Sequence, residues 1–220
     1  MNNVINKDEL LTIQLFSAPI YKINKPEFLK ISRKIAKKYI FKRKTEVCLN
    51  PSYPVYMTES LNYDPEMFDF ANYVAQTAWN LLSEQGYDME KYNTYFESMW
   101  CQEHHNLSLM ERHIHGNNVI MTGFYFLDCP KGSSKVVFHD PRDAKVITSL
   151  SEKDVGLASI ASNMINFEPE AGQLMFSSSW LPHSFTKNES KSPMRFIHFN
   201  IAVNPAQQIT STFKAVAEVI

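Results

Sequence analysis

Two regimes of apolar spacing divide the chain. From Pro26 onward, Phe28, Leu29, Ile31, Ile35, Tyr39 and Ile40 recur three or four positions apart, which predicts an amphipathic helix opened by the proline. A second helix is predicted from Asp64-Pro65-Glu66, carrying Met67, Phe68, Phe70, Ala71, Val74, Ala78, Trp79 and Leu82 before Gly86 stops it. Ahead of both, Leu11–Phe16 alternates apolar and polar residues and breaks at Ser17-Ala18-Pro19, the pattern of a short strand running into a turn.

Beyond about residue 94 the runs become short, β-branched and aromatic. Tyr95–Trp100, Val119–Leu127, Val136–Phe138, Gln173–Phe176 and Arg195–Val203 read as strands. Lys131-Gly132-Ser133-Ser134 and Pro169-Glu170-Ala171-Gly172 read as turns between them. Short strands punctuated this way predict a sandwich or barrel. The expected organisation is one structural domain: a strand and helices over residues 1–93 packing on a β core over 94–205, with a tail over 206–220.

Composition adds mostly exclusions. The 220 residues are 44% apolar and 20% charged, with 15 Phe and 10 Tyr, enough apolar area to offset the ordering of a folded chain. The net charge of −1 gives no global field toward a polyanion. Eight Lys and Arg crowd into Lys30–Lys44, but they alternate with apolar residues at helical spacing, so a solvated helix face is expected rather than a nucleic-acid contact. Cys48, Cys101 and Cys129 form neither a C-x-x-C nor an even set, which argues against disulfides and thiolate metal sites. The opening residues carry an acid, unlike a signal peptide, and no apolar run approaches the roughly 20 residues of a membrane helix. A reduced, cytoplasmic protein without a membrane partner is the expectation. Edge strands of so small a β fold leave room for a homodimer.

Candidate chemistry lies in the histidines. His113 and His115 flank Ile114 just before the apolar Val119–Leu127, and residues i and i+2 of an extended segment point the same way. Two imidazoles so placed form half of a site for divalent iron, zinc, copper or nickel, although surface and packing histidines show the same spacing. Some 70 residues on, Ser177-Ser178-Ser179-Trp180-Leu181-Pro182-His183 leaves a strand and presents a third imidazole beside a rigid proline turn. Arg195 then opens the last strand, where a guanidinium can clamp a carboxylate with two parallel hydrogen bonds, although a lone arginine on a strand is more often a salt-bridge partner. His139 and His198 read as packing or rim residues, His104 and His105 as neighbours facing opposite ways, and Trp100 and Trp180 as core or pocket aromatics.

Taken together, Phe16-Ser17-Ala18-Pro19, Trp100, His113-Ile114-His115 followed by Thr122–Leu127, Phe138-His139-Asp140-Pro141-Arg142, Trp180-Leu181-Pro182-His183 and Phe199-Asn200 resemble the iron(II)/2-oxoglutarate-dependent dioxygenases, in a branch with an H-x-H…H pattern. The resemblance spans about residues 15 to 203 and implies a mainly β fold with flanking helices: a double-stranded β-helix, the cupin-like jelly-roll, with Fe(II) in its open mouth. It implies 2-oxoglutarate and dioxygen as cosubstrates, His113 and His183 as metal ligands, and Arg195 on the far carboxylate of 2-oxoglutarate, with Tyr125 a weaker candidate there. The substrate stays open.

One departure stands out. The family's facial triad is H-x-D…H, and the D position here is His115. Either His115 is the third ligand, or Asp140 supplies the carboxylate, or His115 stands behind the ligands and leaves a position open. The rival class is a cupin-type metal-binding protein or isomerase without 2-oxoglutarate chemistry. Cupins normally carry a glutamate three or four residues after the histidine pair, where this chain has Asn118, Val119 and Ile120.

Overall fold

The computed structural model describes residue 13 and residues 15–206. In chain order the elements are β1 (Ile20–Asn24), α1 (Leu29–Glu46), β2 (Val55–Met57), α2 (Phe68–Glu84), β3 (Tyr92–His104), β4 (Met110–His113) and β5 (Val119–Asp128). There follow β6 (Val136–His139), the short α3 (Asp143–Ile147), β7 (Met164–Phe167), β8 (Gln173–Ser178), β9 (His183–Phe185) and β10 (Met194–Pro205). Two antiparallel sheets face each other, one ordered β1-β8-β5-β10-β3-β2 and the other β4-β9-β6-β7. This is the double-stranded β-helix. None of the described helices is long and apolar enough to cross a membrane.

Both helices begin where the sequence predicts. Single 3-10 turns at Pro26–Phe28 and Pro65–Met67 lead into them, and the Asp64 carboxylate accepts the Glu66 backbone N–H at 3.0 Å. They pack on the outer face of the larger sheet. Ile35 and Ile40 of α1 and Phe70, Val74 and Leu82 of α2 join Tyr125, Leu127, Ile197 and Phe199 in one buried cluster. Gly123 admits this packing, because a Cβ there would stand 2.2 Å from the Met175 carbonyl oxygen and 2.3 Å from the Phe199 ring. Three exposed cations of α1 are held by acids: Lys34 by Glu66, Lys38 by Asp64 and Lys42 by Glu59.

A second cluster fills the space between the sheets, built from Phe124, Phe126, Phe185, Phe196, Met175 and Met194. Phe185 and Phe196 stack at 4.9 Å with an interplanar angle of 5°. Strand parity separates the two faces: on β10, Ile197 and Phe199 point to the helices, while Met194 and Phe196 point into the barrel.

Several elements differ from the sequence reading. The strand expected over Leu11–Phe16 falls partly outside the described residues, and Leu15 and Phe16 are not in a strand. The edge strand lies further on, at Ile20–Asn24, paired with β8. Strands β4 and β7 have only four residues each, too few to show a period in sequence.

Candidate metal centre

His113 ends β4, and the antiparallel register places it opposite His183, the first residue of β9. His115 follows in the loop, its backbone N–H held by the Ser179 carbonyl at 3.0 Å. The three rings converge, with centroids 4.5 Å apart for His113–His183, 5.1 Å for His115–His183 and 5.2 Å for His113–His115. One nitrogen from each lies within 4.8 Å of the others. His115 Nε2 and His183 Nε2 stand 3.3 Å apart. Two imidazoles each about 2.1 Å from one ion, at right or tetrahedral angles, would be about 3.0–3.4 Å apart.

The outer nitrogens are already committed. His113 Nδ1 donates to the Glu111 carbonyl at 2.8 Å, and His183 Nδ1 to the Leu181 carbonyl at 3.1 Å. That fixes the tautomer and leaves each Nε2 bare, the way proteins present imidazole to a metal. Burial, with His113 nearby adding to it, brings His183 down to about 3 and His115 down to about 4. Both are therefore neutral donors at neutral pH. The donor set fits a divalent ion such as iron(II).

Asp140 is not among these atoms. Its carboxylate is engaged by the Arg142 guanidinium at 2.9 and 2.8 Å and by Lys145 at 3.2 Å, and Arg142 holds it well below the usual carboxylate range. It organises its own turn rather than the histidine cluster.

Arg195 and Tyr125 are corrected by strand parity. Arg195 shares the outer face with Ile197 and Phe199, and its guanidinium bonds Glu103 at 2.6 Å and Asp128 at 3.0 Å, its neighbours across β3 and β5. Glu103 is fully buried and also paired with Lys44, while Arg33 of α1 binds Asp128. The Tyr125 hydroxyl donates to the Lys25 carbonyl at 2.7 Å, and its ring packs 4.9 Å from Phe70. Neither side chain faces the imidazoles.

What does adjoin them is a row of uncharged polar groups that sequence reasoning passed over. His198 is 1% exposed, stacks on Trp100 at 4.3 Å, and lies 5.0 Å from His115, ring to ring. The Thr122 hydroxyl donates to the Phe199 or Asn200 carbonyl oxygens and so accepts from His198 Nε2 at 3.0 Å. His198 Nδ1 then accepts from the Gln102 amide at 3.3 Å, and the Gln102 carbonyl oxygen accepts from His104 Nε2 at 2.8 Å. His104 Nδ1, at the far end, has no partner among the described residues. The one clue in the sequence is the i, i+2 spacing of Gln102 and His104.

Two clefts open beside the cluster. One, of ≈ 660 Å³, is lined by Tyr53, Trp100, Gln102, His113, His115 and His198. The other, of ≈ 530 Å³ and mostly apolar, is lined by Ile20, Phe138, Phe167, Trp180, Leu181 and the Asp140 turn.

A double-stranded β-helix with three converging imidazoles at one end offers a donor set for one divalent ion. Residues 98–200 match the model of the family described as "Putative 2OG-Fe(II) oxygenase". Its members are oxidoreductases that work with iron(II) and 2-oxoglutarate, and this chain is such a dioxygenase. No curated protein matches the sequence. Among solved structures the fold is similar to AviO1 from Streptomyces viridochromogenes Tue57 (13% identity, 84% of this chain and 90% of that one, TM-score 0.59). It is also similar to a Pseudomonas putida prolyl-4-hydroxylase (13%, 86% and 94%, 0.55) and to a prolyl hydroxylase from Trichoplax adhaerens (10%, 83% and 83%, 0.53).

Proposed function

We propose that His113, His115 and His183 hold the iron(II) of this oxygenase as a three-imidazole face, within a catalytic core of residues 94–205 on which the described part of residues 1–93 packs. The carrying observation is convergence: donors from β4, the loop after it and β9 meet within 4.8 Å, two of them with the other ring nitrogen tied to a carbonyl. Three neutral ligands leave the ion its full double charge, one unit more than two histidines and a carboxylate would leave. Such a centre favours anionic co-ligands, and the carboxylate of a 2-oxo acid is one.

Iron(II) with 2-oxoglutarate and dioxygen supplies the oxidising power for hydroxylation of a C–H bond. The chain supplies the setting. The β4–β9 register fixes two ligands, the Glu111 and Leu181 carbonyls hold their tautomers, and Phe124 and Phe138 wall the buried side of His183 against water. The apolar cleft suits an uncharged portion of the substrate. Free Cys48, Cys101 and Cys129 fit a reducing, cytoplasmic setting. A second copy would pair at one of the edge strands β1, β2, β4 or β7, and sedimentation of the purified protein would reveal it.

The test is metal content together with 2-oxoglutarate turnover. Wild type is expected to take up a single equivalent of iron(II) and to release succinate from 2-oxoglutarate, and His183→Ala to fold without retaining iron. Folded wild type that takes up no iron would overturn the reading.

A further inference from the structure

The three imidazoles are not held alike. His113 and His183 sit on paired strands, and each ties Nδ1 to a backbone carbonyl, at 2.8 and 3.1 Å. His115 lies in the loop after β4, where its backbone N–H is bonded to the Ser179 carbonyl at 3.0 Å. Among the described residues its ring has one polar neighbour, His183 Nε2, and that contact is made by the nitrogen facing the metal. None ties its Nδ1. An imidazole donates through a single lone pair in the plane of the ring, so a ligating ring has to be aimed, and a bond to the other nitrogen is the usual means. At His115 packing has to serve instead.

His198 is the ring placed to do so. It lies 5.0 Å from His115, centroid to centroid, at 82°, edge to face. Its own position is clamped. Trp100 stacks on it from β3 at 4.3 Å and Phe124 packs on it from β5 at 4.7 Å, both directly across the strand register. Its Nε2 donates to the Thr122 hydroxyl at 3.0 Å, and its Nδ1 accepts from the Gln102 amide at 3.3 Å. With both nitrogens bonded and 1% of its surface exposed, His198 has no nitrogen left for a metal. What it offers His115 is a rigid ring.

We propose that His198 is the positioning residue for His115: its clamped ring takes the place of the missing Nδ1 tie and aims His115 Nε2 at the iron. The inference rests on the iron reading above. The third ligand is then held from the middle of the larger sheet, through β10, and not by the backbone around it.

Cobalt(II) tests this without cosubstrate or turnover. Its visible bands follow the number and geometry of its ligands, and its dissociation constant is read by competition with a chromophoric chelator. His198→Leu keeps apolar bulk and removes the planar ring, whereas His198→Phe keeps a ring. Both deprive Thr122 and Gln102 of their partner alike, so the difference between them reads the ring itself. His198→Leu is expected to bind cobalt(II) about fivefold more weakly than His198→Phe, an edge-to-face contact being worth roughly two- to twelvefold. A difference under twofold overturns the proposal. In a His115→Ala background the two variants should bind within twofold of each other, since the ring then has nothing to aim; a larger difference means that it acts on the fold at large, and overturns the proposal as well. Should neither variant fold, Trp100→Leu, at a partly exposed site, frees one face of the ring. Weakening of twofold or more with His115 present and less than that without it supports the proposal, and any other pattern overturns it. If His115→Ala alone leaves cobalt(II) binding unchanged, the ligand assignment has failed and the proposal falls with it. If that change costs metal but His198 has no influence, the positioning role alone is overturned.

Discussion

The two faces of the six-stranded sheet are made from the same strands and have opposite chemistry. The helix-side face holds ionised groups in a closed network: Glu103 with Lys44 and Arg195, and Asp128 with Arg195 and Arg33. The inner face holds imidazoles, an amide and phenyl rings with no formal charge. Neighbouring positions on one strand thus divide between architecture and chemistry. Glu103 lies between Gln102 and His104, and Arg195 between Met194 and Phe196. A slip of one residue would exchange the two sets, so the register is itself a functional determinant.

Substitutions on either face should break or sharpen this contrast. The largest effect is expected at the imidazole cluster. His183→Ala should weaken iron binding by more than about a hundredfold, since even supporting groups around a metal cost up to about that much; metal analysis after gel filtration reads it. Next comes the inner aromatic wall. Phe124 is 1% exposed and touches Phe126, Phe185, Phe196, His183 and His198. Phe124→Ala should cost about 3–5 kcal/mol in denaturant unfolding. On the outer face, Glu103→Ala leaves Arg195 and Lys44 without their shared buried acid. It should cost about 2–3 kcal/mol, below the range for a fully buried pair because both cations are partly exposed. Iron affinity should be untouched, and a change there would mean that the faces are not independent.

The smallest effect, counted per ring and per pH unit, is a slope in pH. Burial holds His104 down to about 3 and His198 well below its ordinary value. Unfolding lets both rings take up protons near pH 6.5, so the unfolded state gains protons that the folded state refuses. Stability of the metal-free protein should therefore fall as pH drops below about 6.5, by up to about 1.4 kcal/mol per pH unit for each ring. The decline for His104 ends near pH 3. Replacing His104 by Gln should flatten the slope measured by urea titration at several pH values.

Much of the contrast cannot be read from the sequence, for a physical reason. The helices were legible because each buries one stripe, and the H-x-H pair and the Trp-Leu-Pro-His turn were legible because local geometry aims those side chains. The orientation of Arg195 was not. Strand β10 is buried on both faces, and its run Phe196-Ile197-His198-Phe199-Asn200-Ile201 shows no alternation from which to learn which residues look inward. Only the pairing of Arg195 with Glu103 and Asp128, residues 92 and 67 positions away, settles its side. The same limit left His198 as a packing or rim residue, with nothing to place it against the imidazole cluster, where it stands. Asp140 stayed an alternative for another reason: a carboxylate near a histidine is ambiguous until the cations around it, here Arg142 and Lys145, are placed.

The hydrogen-bonded row through Thr122, His198, Gln102 and His104 has a direction, because every donor in it points the same way along the barrel. Rotating the Gln102 amide half a turn would oblige both rings to swap which nitrogen is protonated. The orientation of three side chains behind the imidazole cluster is thus a single two-state variable, anchored at Thr122 by backbone and amide oxygens and left loose at the buried end.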